Sequence, residues 1–293
     1  MRRCRLESLG ISPPGRHLPR WGSVRHSVEA GRRCLEKSRH PKSAVGLLIN
    51  AGVYRDQHIC EPAMACFIQH RLGLNIEFQG RSTMSFDLQN GGCGLLDAVQ
   101  VATVLLQGGD VGAALVVSGE ADSDRRPDPT FVYPASGAAL LLDLSPRRDQ
   151  GFGSFVFRTR DEQADLFTSH VSLGVKRGRL FLERRAGLED AYLSLAEEVV
   201  HEVLARDGLR RDNIDFIVSA QISTGFLARL PEAVGFPREK ILDFSDRLPD
   251  THSTSFVLAL DKALSARHLR PGRNALFLVC GSGLTVGAAS YRC

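Results

Sequence analysis

The chain has 293 residues, 43% of them hydrophobic and 24% charged, which is the composition of an ordinary globular protein. A formal net charge of +4 without a basic, aromatic-interleaved groove argues against nucleic-acid binding, and apolar runs such as residues 138–142 are too short to span a membrane. The basic residues concentrate in residues 1–40, which hold ten Lys and Arg against three acids. This segment is either a solvated, partly mobile arm or a patch for an anionic partner.

Seven cysteines are scattered along the sequence, at positions 4, 34, 60, 66, 93, 280 and 293. They form no CxxC motif and no Cys/His pair at zinc-ligand spacing, so we expect neither a metal site nor a disulfide framework. The first ten residues carry charges without the apolar run of a signal peptide. Together these features favour free thiols in a reducing cytoplasm.

From Val45 onward, short apolar strands alternate with segments of helical period, and the same order of elements occurs twice. A strand–helix–strand–helix–strand–strand unit that is used twice indicates an internal duplication. Buried strands that alternate with helices predict an α/β protein with mixed sheets covered by helices. The first unit has predicted strands at 45–51, 84–88, 113–118 and 137–144 with helices at 61–72 and 92–106; the second has strands at 214–219, 241–244, 274–280 and 286–291 with helices at 224–234 and 251–266.

Residues 147–187 connect the two units and include a charged DEQAD stretch. An amphipathic helix is predicted after them at 188–207, with Glu197 and Glu198 on its polar face. We therefore expect three regions. They are a shortened basic N-terminal segment at 1–44, a first half with its connecting insert at 45–187, and a second half at 188–293.

Six segments, taken together and in this order, carry a resemblance to a known family. They read GLLINAGVYRD (46–56), SFDLQNGGCGLLDAVQVA (85–102), AALVVSGEAD (113–122), IDFIVSAQIS (214–223), DRLPDTHSTSFVLALD (246–261) and CGSGLTVGAASYR (280–292). The chain resembles the thiolase superfamily, and within it ketoacyl-ACP synthase III and the head-to-head acyl-condensing enzymes of olefin biosynthesis. The resemblance implies a thiolase-type α/β/α/β/α sandwich built from two duplicated βαβαββ halves.

The resemblance also implies a chemistry and its partners. The family acts on acyl thioesters of coenzyme A or of an acyl carrier protein, forms homodimers or paired heterodimers, and uses a Cys-His-Asn triad without a cofactor. In that chemistry a thiolate attacks the thioester and holds the acyl group, and a helix N-terminus lowers the pKa of the thiol. Two backbone N–H groups hold the oxyanion.

All three triad positions differ in this chain. The family pattern F-D-x-x-x-x-C-x-G, laid on residues 86–94, places Gly92 at the nucleophile and Cys93 one residue late. The family histidine falls on Ala220, and the family asparagine falls on Asp250. We therefore expect an active site that is either rebuilt or retired.

Three features support the alternative of a rebuilt active site. Cys93 begins a predicted helix between two glycines, so it is either a shifted nucleophile or a packed thiol. His252 follows Asp250 at a helix start, where a neutral imidazole suits a base; alternatively, Asp250 is an N-cap that satisfies His252. Glu61 precedes Pro62, and the olefin-type relatives use a Glu in a similar context as a base that reaches across the dimer. Alternatively, Glu61 only stabilises a helix dipole.

The glycine turn at 280–284 matches the olefin-type form of the family's oxyanion turn. Ser282 takes the position whose N–H helps to hold the oxyanion, with Gly283 beside it; alternatively, the turn only ends a strand. Family members also carry a longer segment before the first long strand, and that segment lines the coenzyme A entrance. Trp21 with Arg20 and Arg25 is a candidate substitute for it, unless Trp21 only covers a helix end.

Three functions follow from these alternatives. The first is an acyl-thioester transferase or condensing enzyme of specialised, fatty acid or polyketide-type metabolism with a rearranged active site. The second is a catalytically inactive subunit that partners an active ketosynthase III. The third uses Asp250 and His252 as a base on a carrier-bound substrate, without a covalent acyl enzyme. None of the three requires a metal or a cofactor, and none involves nucleic acid or a membrane.

Overall fold

The structure, a computed structural model, describes residues 2–15, 22–76, 80–124, 129–172, 174 and 178–293. Arg20 and Trp21, the predicted contacts for coenzyme A, lie outside these residues. Two mixed five-stranded sheets form the frame of the fold. Both contain a group of three parallel strands, as the short buried apolar runs predicted.

The first sheet and its helices occupy residues 4–144. The elements are the strands β1 (Cys4–Ser12), β2 (Val45–Asn50), β3 (Met84–Asp87), β4 (Ala113–Glu120) and β5 (Ser136–Leu144) and the helices α1 (Ser23–Lys37), α2 (Met64–Leu72) and α3 (Gly94–Gly108). The strand order is β1-β5-β4-β2-β3. Strand β2 runs parallel to β3 and β4, whereas β5 is antiparallel to β4 and β1.

The second sheet occupies residues 151–292 and includes a small additional hairpin. The elements are the strands β6 (Gly151–Thr159), β7 (Phe167–Ser172), β8 (Arg179–Arg184), β9 (Phe216–Ser219), β10 (Ile241–Leu242), β11 (Asn274–Gly281) and β12 (Thr285–Arg292) and the helices α4 (Leu188–Arg206), α5 (Thr224–Val234) and α6 (Ser255–Ser265). The strand order is β10-β9-β11-β12-β6, and β7 pairs with β8 as a separate antiparallel hairpin.

The two sheets correspond strand by strand, which confirms the predicted duplication. Each duplicated unit is longer than predicted. The order β1-β5-β4-β2-β3 in the first sheet matches β6-β12-β11-β9-β10 in the second. Each unit therefore begins with one more strand and helix than the sequence pattern predicted. The expectation of a solvated N-terminal arm is wrong for β1 and α1, because β1 pairs with β5 and α1 buries Ala30 and Cys34 against the first sheet.

The helices form three layers around the two sheets. The hydrophobic core between the sheets is filled by α3 and α6, while α1 with α2 covers the outer face of the first sheet and α4 with α5 covers that of the second. Because α3 is packed between two sheets, its first turns are apolar nearly all round. Helix α4 has a solvent face instead, and Glu197 and Glu198 are exposed on it as predicted.

Helix α2 begins at Met64, three residues later than predicted, so Glu61 does not lie in its first turn. The carboxylate of Asp87 accepts hydrogen bonds from the backbone N–H groups of Met64 (2.8 Å) and Ala65 (2.9 Å). These bonds satisfy donors that a helix N-terminus otherwise leaves free. Asp87, rather than Glu61, therefore stabilises the start of α2.

Helix α6 begins at Ser255 rather than at Thr251. A 3-10 turn at His252–Thr254 precedes it. His252 has a φ of 57°, which lies in the left-handed region, so the residues before this turn cannot continue an α-helix. This departure from helical geometry sets the direction in which the His252 side chain points.

No helix in the described part of the chain is long and apolar enough to cross a membrane. The described residues also include no cluster of three or more side chains that would hold a metal ion. The predicted insert at 147–187 contributes β6 to the second sheet and forms the β7–β8 hairpin. The boundaries predicted at residues 44 and 187 remain predictions.

Candidate active site

A small cavity lies between the β7–β8 hairpin, the end of β11 and the segment that precedes α6. Its volume is about 20 Å³, which is room for roughly one water molecule. Two of the family's triad positions, Ala220 and Asp250, line this cavity together with His252. The complete lining is Tyr133, Phe167, Arg184, Leu188, Tyr192, Ala220, Ile222, Asp250, His252 and Cys280.

The family's nucleophile position, Gly92, has no room for a side chain. A Cβ atom on Gly92 would lie 2.1 Å from the carbonyl oxygen of Cys280 and 3.3 Å from its carbonyl carbon. Backbone atoms of a packed strand end cannot yield as a flexible side chain does. A cysteine at position 92 would therefore require the β11–β12 turn to move.

Cys93 lies in the hydrophobic core between the sheets. Its side chain is fully buried, and its thiol donates a hydrogen bond to the carbonyl oxygen of Thr285 (Sγ to O, 3.4 Å). Burial, reinforced by the nearby Cys280 and Asp97, raises the pKa of Cys93 well above its ordinary value. The expectation that a shifted backbone presents this thiol to a cavity is wrong, since one residue turns a side chain by about 100° in a helix. The alternative of a packed thiol fits the structure.

The β11–β12 turn packs directly on the start of α3, backbone against backbone. A Cβ on Gly91, whose φ is 51°, would lie 2.8 Å from the nitrogen of Ser282, and a Cβ on Gly281 would lie 2.9 Å from the oxygen of Asn90. Only glycine permits this approach. Ser282 and Gly283, the predicted oxyanion residues, are half-buried in the turn and do not line the cavity. Their oxyanion role stays a prediction.

An arginine from the β7–β8 hairpin holds Asp250 in the cavity. Arg184 donates from Nη2 to Oδ2 of Asp250 (3.0 Å) and to the hydroxyl of Tyr133, and its guanidinium carbon lies 4.8 Å from the centre of the Tyr133 ring. Burial alone would lower the pKa of Arg184, but the charges of Tyr133 and Asp250 raise it. Arg184 therefore stays cationic and balances Asp250. Sequence reasoning missed Arg184 because it lies in the connecting insert.

His252 enters the cavity from the turn before α6. Its side chain is only 4% exposed, and its ring centre lies 4.8 Å from that of Tyr133 and 5.1 Å from that of Tyr54. Asp250 accepts the backbone N–H of His252 on Oδ1 (2.9 Å). Asp250 is not the predicted N-cap, because Thr251 caps the 3-10 turn and Thr254 caps α6, but it does satisfy the backbone N–H of His252. A left-handed φ on a residue other than glycine is strained, and such strain concentrates at functional sites.

A fully buried carboxylate, Glu120 at the end of β4, orients the imidazole of His252. The distance from Nδ1 of His252 to Oε1 of Glu120 is 3.2 Å. Glu120 also accepts the backbone N–H groups of Val53 (3.1 Å) and Tyr54 (3.0 Å) and the hydroxyl of Ser253. Because these partners are donors, the carboxylate acts as acceptor and a neutral His252 carries its proton on Nδ1. Nε2 of His252 has no hydrogen-bond partner among the described residues and remains an acceptor.

Cys280 supplies a thiol to the cavity, which sequence reasoning did not anticipate. It is the last side chain of the apolar strand β11, it is 7% exposed, and it lines the same space as His252. Burial, followed by the negative charge of Asp250, raises the pKa of Cys280. The only sequence signal was a cysteine that ends a buried strand directly before the glycine turn.

Glu61 lies apart from this cavity. It is exposed, it precedes α2, and it is not one of the lining residues. A base that reaches across a dimer would have to act on the partner subunit, so the role of Glu61 stays a prediction. A larger cavity of about 210 Å³ lies near Leu6, Tyr291 and Cys293, and it contains none of the family's site positions.

Comparison with known proteins gives one family and one fold. A family model described as 3-oxoacyl-[acyl-carrier-protein (ACP)] synthase III C terminal matches residues 204–293. The beta-ketoacyl-[acyl-carrier-protein] synthase III of Rhizorhabdus wittichii is 29% identical over 272 residues, which cover 91% of this chain and 82% of that protein. The crystal structure of FabH, the 3-oxoacyl-(acyl carrier protein) synthase III of Pseudomonas aeruginosa PAO1, has a TM-score of 0.85 at 20% identity and covers 99% of this chain and 98% of that one. Xanthomonas campestris OleA, solved with lauric acid and lauroyl-CoA, has a TM-score of 0.84 at 19% identity and covers 99% of both chains.

Two duplicated mixed sheets with a shared central helix layer, together with these structural matches, define a thiolase-type fold. Within that class the curated relatives and the family match point the same way. The chain has a thiolase-type fold and is similar in sequence to ketoacyl-ACP synthase III. The fold expected from the six sequence segments is confirmed, and the resemblance to ketoacyl-ACP synthase III is supported by both comparisons.

Proposed function

We propose that the chain is a ketosynthase III-like acyl-thioester transferase or condensing enzyme with a rearranged active site. One observation carries this proposal: a cavity at the family's site positions is still lined by a thiol and an oriented imidazole, Cys280 and His252. Burying polar and ionisable groups costs free energy unless they are paired, and such clusters concentrate at functional sites. An entirely retired cavity would be expected to fill with apolar side chains.

The proposed substrate is an acyl thioester of coenzyme A or of an acyl carrier protein. The relatives are named as beta-ketoacyl-[acyl-carrier-protein] synthases III, and the OleA structure contains lauroyl-CoA. We place the activity in fatty acid or polyketide-type specialised metabolism and propose that it needs no cofactor. The seven cysteines are all free of disulfides, which supports a reducing cytoplasm as the location.

We further propose that the chain works as a dimer, with a second copy or with a related ketosynthase. Strand β3 is an edge strand of the first sheet, and its Met84 is 48% exposed. Phe67 in α2 and Ile76 are also exposed apolar residues. An open strand edge with apolar side chains is a template for pairing with another chain.

A catalytically inactive partner subunit is the second candidate, and a specific observation favours it. The nucleophile position at Gly92 is filled by the backbone of Cys280, and the cavity holds roughly one water. In that case the chain would stabilise an active ketosynthase III and shape its substrate tunnel.

The two candidates differ in a direct measurement. The purified protein is incubated with acyl-CoA and acyl-carrier-protein thioesters of several chain lengths, while free thiol release and the intact protein mass are followed. We expect thiol release and a mass increase equal to one acyl group, unchanged in a variant of the exposed Cys66, Cys66→Ala. If neither occurs with any thioester and the protein copurifies with a co-expressed ketosynthase III, the inactive subunit is the correct assignment.

A further inference from the structure

We propose that Cys280 is the nucleophile that carries the acyl group, with His252 as its general base and Glu120 as the residue that positions the base. This assignment rests on the proposed acyl-thioester function and names the residues that perform it. It moves the nucleophile from the start of α3, where the family has it, to the end of β11. None of the three residues occupies a triad position of the family pattern.

The proposed nucleophile and base share one cavity. The thiol of Cys280 and the imidazole of His252 border one space of about 20 Å³. A general base must reach the proton that it removes directly or through one water, and a space of this size holds roughly one water. The proposal therefore places the proton transfer inside this shared space, either directly or through one water.

The imidazole of His252 is oriented so that one nitrogen can accept a proton. Glu120 accepts from Nδ1 of His252, which leaves Nε2 as the lone-pair nitrogen. The ring packs against those of Tyr54 and Tyr133, at 5.1 Å and 4.8 Å between ring centres. A nucleophile, a base and a buried carboxylate that orients the base form the general arrangement of nucleophilic catalysis.

The other thiol near this site does not reach the cavity. Cys93 is fully buried in the core between the sheets and donates to the Thr285 carbonyl, so it does not border the cavity. Gly92 has no space for any side chain. Among the described residues, Cys280 is therefore the thiol placed to meet a substrate in this cavity.

The acylation step balances without an additional reactant. As Sγ of Cys280 bonds to the carbonyl carbon of the thioester, its proton passes to Nε2 of His252. The tetrahedral intermediate collapses, the carbon–sulfur bond of the substrate breaks, and the leaving thiolate takes the proton from His252. The products are acyl-Cys280 and a free thiol, and no group is oxidised or reduced.

Substrate entry requires the β7–β8 hairpin to move. An acyl group needs more space than one water, and the hairpin contributes Phe167 and Arg184 to the cavity lining. The contacts that hold it there include the ion pair between Arg184 and Asp250, at 3.0 Å, and hydrogen bonds from the backbone of β8 to Asp124 and Thr130. An acyl thioester that reaches Cys280 would have to displace this hairpin.

The test begins with the location of the acyl group. The protein is acylated with an acyl-CoA, digested and mapped by mass spectrometry, and we expect the added mass on Cys280. His252→Asn keeps a residue that tolerates the left-handed backbone and removes the base, so we expect the acylation rate to fall about 100-fold. His268→Asn, at a histidine outside the cavity, is the matched control and should leave the rate unchanged. An adduct on Cys93 or on any other residue overturns the assignment.

Glu120 is tested separately as a positioning residue. Glu120→Asp keeps the carboxylate and Glu120→Gln removes its charge, so we expect acylation to fall at least about 10-fold in Glu120→Gln and to recover in part in Glu120→Asp. The pH dependence of the rate should also change in Glu120→Gln, because His252 loses its anionic partner. Equal rates and equal pH profiles in both variants would show that Glu120 is only structural and would overturn its role.

A second measurement does not depend on the substrate and so separates the two proposals. The native protein is treated with iodoacetamide, and the alkylation rate of each cysteine is followed by mass spectrometry. We expect Cys280 to react faster than Cys93, and about 10-fold more slowly in His252→Asn than in His268→Asn. If no thioester acylates the wild-type protein, the proposed function fails. The alkylation rates still show whether His252 activates the thiol of Cys280. Alkylation of Cys280 that is absent, or that is equal in the two variants, overturns the pair.

Discussion

The starts of the two central helices, α3 and α6, occupy equivalent places in the duplicated fold but have opposite surroundings. Before α3, the segment from Gly91 to Cys93 is covered by the backbone of the β11–β12 turn, and its thiol lies in the core. Before α6, Asp250 and His252 point into a cavity and are held by Arg184 and Glu120. The comparison indicates that the first helix start has become structural, whereas the second keeps groups that can take part in chemistry.

The difference also explains why loss of the family nucleophile does not leave an empty site. The glycines at 91 and 92 allow the strand end of the second half to approach the helix start of the first. That approach places Cys280 at the rim of the cavity, next to the position that the family nucleophile would have occupied. The same backbone contact that removes one thiol therefore brings another to the site.

The largest loss of stability is expected when a side chain is added at the start of α3. Gly92→Ala should lower the free energy of unfolding by about 3 kcal/mol, because its Cβ would lie 2.1 Å from the Cys280 carbonyl oxygen. Gly112→Ala is the matched control, since its Cβ would meet only the oxygen of Ala44 at 3.8 Å and should change stability by less than about 0.5 kcal/mol. Denaturant unfolding of both variants measures the difference. Equal stability of the two variants would mean that the turn is not packed on Gly92.

The segment before α6 can be tested by replacing Arg184, which pairs with Asp250 in that segment. Arg184→Gln should cost about 2 kcal/mol, because it leaves the carboxylate of Asp250 without its cationic partner in a largely buried position. The adjacent Arg185→Gln removes an arginine whose partners, Asp165 and Glu183, are exposed, so it should cost no more than about 0.5 kcal/mol. Unfolding curves, with hydrogen exchange of β7 and β8, compare the two. A larger loss in Arg185→Gln would contradict the proposed hold on the hairpin.

The smallest effect is expected from a carboxylate in the first turn of α3. Burial raises the pKa of Asp97 to about 6, although the hydrogen bond from Asn90 opposes the change. The folded state therefore binds this proton more tightly than the unfolded state, and stability falls as the pH rises from about 4 to about 6. Asp97→Asn should raise stability by about 1 kcal/mol at pH 7.5 and flatten the pH dependence in that range.

The exposed Asp110→Asn, just beyond the same helix, is the control for that measurement, and we expect no change in its pH profile. Thermal or denaturant unfolding at several pH values between 4 and 8 provides the comparison. If Asp97→Asn has the same slope as the wild-type protein, then Asp97 is not the group that makes the start of α3 pH-dependent.

Most of the fold could be predicted from the sequence, because buried parallel strands and helices have distinct periods and boundaries. Helix α5 was predicted at its observed bounds, and every strand predicted from Val45 onward was found within a few residues, whereas β6, the first strand of the second unit, was not predicted. The first strand, β1, was missed because its burial alternates irregularly and it lies in a basic segment. Its pairing partner, β5, is far away in the chain, and such pairing leaves no local pattern.

The site was predictable only in part. Asp250 and His252 were identified from their positions in a family segment, and the structure places both at one cavity. Glu120 and Arg184 were missed because each reaches His252 or Asp250 across a large separation in sequence. For Cys93 two alternatives stayed open, because sequence spacing does not tell which way a thiol at a helix start points, and the structure places the thiol in the core.

The sequence by itself determined the α/β class, the duplication and the absence of the family triad at Gly92 and Ala220, because strand and helix periods and residue identities are local properties. Only the tertiary structure decided that Gly92 is closed by a backbone carbonyl and that Cys280 shares a cavity with His252. Those contacts join the start of α3 to a turn almost two hundred residues away. They depend on how the two halves pack against each other, a geometry that residue spacing does not carry.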